Sequence, residues 1–159
     1  RILLAIDSFK GCLTSAEAGK AAEKRYQKHK SFLPHFIIPI ADGGEGLLDV
    51  LITATKGKYI TLSAHGPLMK MAKTHYGLSG NGRTAIIEKA AISGLPLVPI
   101  EQRNPMLTTT FGTGELIKDA LNKGCRNFII GIGGSATNDA GLGMLQALGF
   151  RFLDKSGIP

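Results

Sequence analysis

Short, nearly continuous apolar runs alternate along this chain with segments whose apolar residues recur every three or four positions. Ile2–Ile6, Phe36–Ile40 and Phe128–Ile132 are runs of the first kind, the pattern of buried parallel strands. Helical faces lie between them. Thr14-x-x-Glu17 reads as a capping box, after which Ala18, Ala22 and Tyr26 share one side. Leu47, Leu48, Leu51 and Ile52 form a second face just after Gly43-Gly44. Leu116, Ile117, Ala120 and Leu121 form a third, stopped by Gly124. Leu142, Leu145 and Leu148 form a fourth, stopped by Gly149, and Phe150–Leu153 reads as one more short strand. Alternating strand and helix predict an α/β fold: a largely parallel, Rossmann-like sheet with flanking helices.

The middle of the chain breaks this rhythm. Lys58–Ala64, Met69–Leu78 and Arg83–Glu88 are separated by His65-Gly-Pro67 and Gly80-Asn-Gly82, and the second separator is a hairpin signal. The pattern predicts an antiparallel meander inserted in, or flanking, the sheet. The expected organisation is an α/β segment over 1–57, the meander and the start of a second region over 58–101, and a further α/β segment over 102–159 that reads as incomplete.

Composition narrows the class. At 159 residues and 43% hydrophobic content the chain has the size of one domain and can bury a core. No apolar run is long enough to span a bilayer and no signal peptide is visible, so no membrane association is expected; the chain opens on Arg1 without an initiator Met. Cys12 and Cys125 lack metal-type spacing, and His29, His35, His65 and His75 form no HxxxH-like pair. A metal held by thiols or imidazoles is therefore not expected, and two thiols suit a reducing cytoplasm. Part of the net charge of +7 lies in Lys20, Lys24, Arg25, Lys28 and Lys30 on the first predicted helix. That reads as a solvated helix face, since the 6% aromatics do not interleave with the basic residues as a nucleic-acid surface requires. A positive field still suits small anionic substrates.

Four glycine-flanked sites stand at expected strand or helix ends, where open α/β sheets bind ligands. Asp7-Ser-Phe-Lys-Gly11 follows the first strand, with Asp7, Ser8 and Lys10 as candidates and a simple tight turn as the plain alternative. Ala41-Asp-Gly-Gly-Glu-Gly46 follows the second. Asp42 there is either functional or only a helix cap, but Gly43, Gly44 and Gly46 weaken a helical turn by about 1 kcal/mol each, more than a cap requires. The third site runs from Arg103 through Thr110, Gly112, Thr113 and Gly114; Arg103 has the geometry to fork onto a carboxylate or phosphate, against a Thr-rich cap beside a surface Arg. The fourth is Gly131-Ile-Gly-Gly-Ser-Ala-Thr-Asn-Asp-Ala-Gly141. A strand that ends in glycines and restarts as a helix offers unsatisfied N–H groups to phosphate, with Gly133 and Gly134 allowing close approach and Ser135, Thr137 and Asn138 adding side-chain bonds. Asp139 either contacts magnesium or caps the following helix. No site is a Walker A motif. The last loop does satisfy G-x-G-x-x-A through Gly131, Gly133 and Ala136, with Asp154 where a ribose-binding acid would stand, so an NAD(P)-dependent dehydrogenase remains an alternative, as does a non-catalytic phosphate-ligand-binding fragment.

Taken in order, Asp7-Ser-Phe-Lys-Gly11, Ala41-Asp-Gly-Gly-Glu-Gly46, Gly112-Thr-Gly-Glu-Leu-Ile117 and Gly131-Ile-Gly-Gly-Ser-Ala-Thr-Asn-Asp139 resemble the bacterial glycerate kinase family. Glu88 with Ala90-Ala-Ile-Ser-Gly-Leu95 resembles a further segment of it. The sequence departs at Ile6, where Pro is expected, at Lys89, where Met is usual, and at Ala140, where a second Gly is usual. Family members are longer, with two α/β domains around a cleft, so the resemblance makes this an N-terminal portion. It implies ATP-dependent phosphorylation of D-glycerate with Mg2+, and leaves a homo-oligomer and the hydroxyl phosphorylated open. Under that resemblance Asp42 serves as base or orienter of the hydroxyl and Lys10 stabilises the transferred phosphoryl group. Asp7, Ser8 and Arg103 contact substrate. Gly43, Gly44, Gly112, Thr113, Gly133, Gly134, Ser135 and Asn138 contact phosphate or nucleotide, and Glu45 and Asp139 hold magnesium.

Overall fold

A computed structural model describes residues 1–28 and 34–158. In chain order these form β1 (Ile2–Leu4), α1 (Ser15–Gln27), β2 (His35–Ile37), α2 (Leu47–Thr55), β3 (Lys58–His65), β4 (Met71–Leu78), β5 (Thr84–Glu88) and α3 (Ala90–Ser93). Then come 3-10 turns at Leu95–Leu97, Ile100–Gln102 and Pro105–Leu107, followed by α4 (Phe111–Asn122), β6 (Asn127–Gly131) and α5 (Leu142–Ala147).

Local chemistry accounts for the element ends. The α1 capping box is present: the Glu17 N–H donates to Thr14 Oγ1 at 3.2 Å and the Thr14 N–H donates back to Glu17 Oε2 at 2.8 Å. Gly124 and Gly149, at φ +89° and +101°, end α4 and α5 in the left-handed conformation that glycine adopts without strain.

The fold is mixed α/β with two sheets. β1 and β2 pair in parallel, Leu3 opposite Phe36. The other sheet runs β3-β4-β5-β6, antiparallel through the meander and parallel between β5 and β6. The meander flanks the parallel β5–β6 pair within one sheet, as expected: the β4–β5 hairpin leads directly into the strand that pairs with β6. β5 is buried on both faces, which explains its unbroken apolar run. On one side α4 brings Leu116 and Ala120 against Tyr76, Ala85 and Ile87; on the other α2 brings Leu48 and Ile52 against Ile86. The Tyr76 hydroxyl donates to Asp119 Oδ2 at 2.9 Å, so the buried phenol is satisfied.

Two sequence expectations are adjusted and a third is met. β1 and β2 stop at Leu4 and Ile37, before the apolar runs end. Phe150–Leu153 is exposed and forms no strand, and among the described residues no strand pairs with it. Lys20, Lys24, Arg25 and Lys28 are exposed, as a solvated face requires, while His29 and Lys30 lie outside the described residues.

Candidate functional site

The segments after β1 and β2 are tied together by one buried hydroxyl. Ser15 Oγ, at the start of α1, donates to the Ile6 carbonyl at 2.6 Å and accepts from the Ile40 N–H at 2.9 Å. This sets the Asp7 and Asp42 turns side by side beyond the carboxyl ends of the parallel pair, where ligands of α/β sheets bind. Asp7 Oδ1 accepts from the Ser8 N–H at 2.7 Å, and Asp42 Oδ1 from the Gly44 N–H at 2.9 Å. Each carboxylate therefore shapes its own turn with one oxygen. Asp42 itself is exposed.

The Asp42 turn rests on the end of β6. The Gly133 N–H donates to the Gly43 carbonyl at 3.1 Å. A Cβ on Gly133 would lie 2.6 Å from Gly44 Cα, and one on Gly131 2.6 Å from the Gly43 carbonyl oxygen. Two glycine-rich loops meet here backbone to backbone, which no side chain permits.

Beyond Gly133 the loop crosses α3. The Leu95 N–H donates to the Gly134 carbonyl and the Ala136 N–H to the Ser93 carbonyl, each at 2.9 Å. Ser135 Oγ is a hub: it accepts from Lys89 Nζ at 2.9 Å and from the Thr137 N–H at 3.2 Å, and lies 3.0 Å from Thr137 Oγ1. Burial pushes the Lys89 ammonium below the usual lysine pKa, opposed by the charge of Asp139. Among the described residues, the Gly134 and Ser135 N–H groups have no protein acceptor. Arg103, anchored by its Nε–H on the Val98 carbonyl at 3.2 Å, faces Thr108, Ser135 and Thr137 across a cavity of about 260 Å3.

Asp139 has a structural duty. Its carboxylate accepts from the Thr110 N–H and Oγ1–H, each at 2.8 Å, and from the Gly141 and Gly143 N–H groups, each at 3.1 Å. Thr110 Oγ1 in turn accepts from the Met144 N–H at 2.9 Å. Burial pushes this carboxyl up, but the bonds from Thr110, Gly143 and Gly141 outweigh it and hold the pKa below the ordinary aspartate value. The first-turn N–H donors of α5 are engaged by Asp139 and Thr110.

Gly112 and Thr113 also sit differently from expectation. Both are buried: Gly112 packs on His65 and Ile92, and Thr113 Oγ1 lies 2.8 Å from Ser93 Oγ. They seat α4 against β3 and α3. Lys10, Glu45 and Asn138 are exposed, and among the described residues no hydrogen bond or ion pair ties their side chains to the other candidates. Asp154 accepts from the Ser156 and Ile158 N–H groups at 2.8 and 3.0 Å, closing its own turn rather than ending a strand. The dinucleotide pattern thus loses its acidic partner. Glu88 and Lys89, which received no site role from sequence, stand where β5 ends. Glu88 Oε2 accepts from the Leu48 N–H at 3.3 Å; burial drives its pKa up, the Leu48 and Gly46 N–H groups oppose this, and Asp49 and Glu45 reinforce it. A Glu-Lys pair closing an apolar run was the available signal.

Comparison with known proteins bears on this arrangement as a whole. The sequence model of the glycerate kinase family matches residues 2–159. The chain belongs to the glycerate kinase family. It is 52% identical over 159 residues to a glycerate kinase of Haemophilus influenzae, covering all of this chain and 42% of that protein. It is 48% identical to glycerate 2-kinase of Escherichia coli, covering 99% of this chain and 41% of that one. A Salmonella typhimurium LT2 protein assigned as glycerate kinase 2 has a crystal structure that superposes with a TM-score of 0.84 at 46% identity, over 99% of this chain and 42% of its own. The chain therefore spans about two fifths of the glycerate kinases it matches.

Proposed function

We propose that the full-length protein carrying this chain transfers a phosphoryl group from ATP to D-glycerate, giving a phosphoglycerate and ADP. The observation that carries this reading is the Gly43–Gly133 contact, which joins the Asp42 turn to the Gly133–Ser135 loop. A carboxylate suited to a hydroxyl proton and donors suited to phosphate thus occupy adjoining loops, as phosphoryl transfer requires. Asp42 serves as the base or orients the attacking hydroxyl through the oxygen that does not cap Gly44. Gly134, Ser135 and Asn138 receive phosphate, with Gly43, Gly44 and Gly133 fixing the loops' approach. Lys10 stabilises the transferred group, Arg103 grips the glycerate carboxylate, and Asp7 and Ser8 line the substrate side.

Magnesium fits this set without a protein cage. Among the described residues no three carboxylate, thiol or imidazole groups converge on a metal-sized space. Mg2+ in such sites is held by one or two carboxylates together with water and substrate phosphates. Glu45 is the exposed carboxylate that would hold it, while Asp139, engaged by Thr110, Gly141 and Gly143, positions the loop. Bound there, the ion would neutralise charge on the phosphate chain. Among the described residues no helix is long and apolar enough to cross a membrane, and Cys12 and Cys125 are free thiols, in keeping with a cytoplasmic setting.

Two substitutions in the full-length protein test the roles. Asp42→Asn and Lys10→Ala should each lower glycerate-dependent ADP release by about a hundredfold or more, with melting temperatures unchanged. An Asp42→Asn protein that fails to fold would reduce Asp42 to a cap, and a Lys10→Ala protein with full turnover would remove Lys10 from the chemistry.

A further inference from the structure

Lys89 stands out among the charged groups near the site. Its Nζ is half-buried and donates to Ser135 Oγ, an uncharged acceptor. Among the described residues no carboxylate lies within ion-pair distance of it. The nearest negative influence is Asp139, whose oxygens already accept from Thr110, Gly141 and Gly143. A partly desolvated ammonium with no counter-ion is unfavourable by itself, and burial lowers the Lys89 pKa accordingly. Such a group is stabilised when an anion arrives. The same few residues supply the rest of an anion site. The Gly134 and Ser135 N–H groups have no acceptor among the described residues. Arg103 lines the same cavity as Ser135, Ala136 and Thr137.

We infer that Lys89 is an anion-contacting residue, supplying the positive charge of a phosphoryl site built from the Gly134 and Ser135 N–H groups, with Ser135 Oγ holding the ammonium over the loop. This rests on the phosphoryl-transfer reading of the same loop, and it adds a cation at the end of β5, held on Ser135 Oγ of that loop. The ligand class is a phosphate monoester or the phosphate chain of a nucleotide. A carboxylate ligand would leave the paired backbone donors poorly matched, because a tetrahedral phosphoryl group presents three oxygens to N–H and ammonium donors at once.

The test is binding of inorganic phosphate to the full-length protein, followed by titration calorimetry, for the wild type, Lys89→Met and Lys89→Arg, with melting temperature recorded alongside. Lys89→Met keeps an unbranched side chain of similar length and removes the charge. It should weaken phosphate binding about tenfold or more, the value of one lost charged hydrogen bond. Its melting temperature should be unchanged or raised, because an uncompensated cation is gone. Lys89→Arg should bind within a few-fold of wild type. If Lys89 merely braced Ser135, Lys89→Met would lose melting temperature, and Lys89→Arg would fail with it. Phosphate binding by Lys89→Met at wild-type strength, or no phosphate binding by the wild type, overturns the inference. The kinase reading fails separately: a protein that binds phosphate through Lys89 yet releases no ADP with D-glycerate would retain this site and lose that activity.

Discussion

Ala140 occupies φ +51°, a left-handed conformation that costs an ordinary L-residue about 1–2 kcal/mol. The strain lies between Asp139 and Gly141, inside the clamp that joins the last loop to α4. Ala140→Gly should therefore raise stability by about 1 kcal/mol in urea denaturation, after the greater entropy of glycine in the unfolded chain is subtracted; a drop would show that the Ala140 methyl packs usefully. Asp139 governs the acid limb. Its folded-state pKa lies below the unfolded value, so its contribution is whole above about pH 4 and disappears as pH falls through the folded value. Asp139→Asn should lower stability at pH 7 by about 2 kcal/mol and flatten the acid limb, the two proteins converging at low pH. Parallel curves of stability against pH would contradict this. At this scale the sequence was legible where partners are local. The Thr14–Glu17 box closes over three residues, whereas the Asp139 clamp takes its strongest donor from Thr110, 29 positions upstream, which spacing does not reveal.

At the scale of elements, position of the loops depends on backbone contact. A methyl group on Gly133 would meet Gly44 Cα at 2.6 Å and push the Asp42 turn away from β6. Gly133→Ala should destabilise by about 1–3 kcal/mol in urea and weaken phosphate binding as well. Unchanged stability would mean that the two loops do not meet as described. Strand and helix order was readable because apolar period separates the two, and the hairpin at Gly80-Asn-Gly82 was marked by its turn residues. Sheet membership was less readable. Period places β5 in a core but does not tell that β4 and β6 flank it, one antiparallel and one parallel. The same limit applies to Gly112 and Thr113: a glycine that admits a ligand and one that admits a neighbouring strand look alike in sequence, and here His65 and Ser93 fill the space.

For the whole molecule, the match to the glycerate kinase family spans all four loops. The order of the motifs carried that resemblance from sequence, and the Ser15, Gly43–Gly133 and Asp139–Thr110 contacts join the loops in space. Lys89 and Glu88 received no site role from sequence because a charged pair closing a strand does not reveal its partners, Ser135 and Leu48. Leu3 and Phe36, on the parallel pair, are 60% and 55% exposed, although parallel strands are generally covered on both faces. Measurements of activity therefore belong on the full-length protein. The most direct is ADP release from Mg·ATP, measured with and without D-glycerate and with the phosphorylated product detected in the same samples. The account predicts ADP release that depends on D-glycerate and matches phosphoglycerate formed one for one; ADP release indifferent to D-glycerate, or none at all, would contradict it.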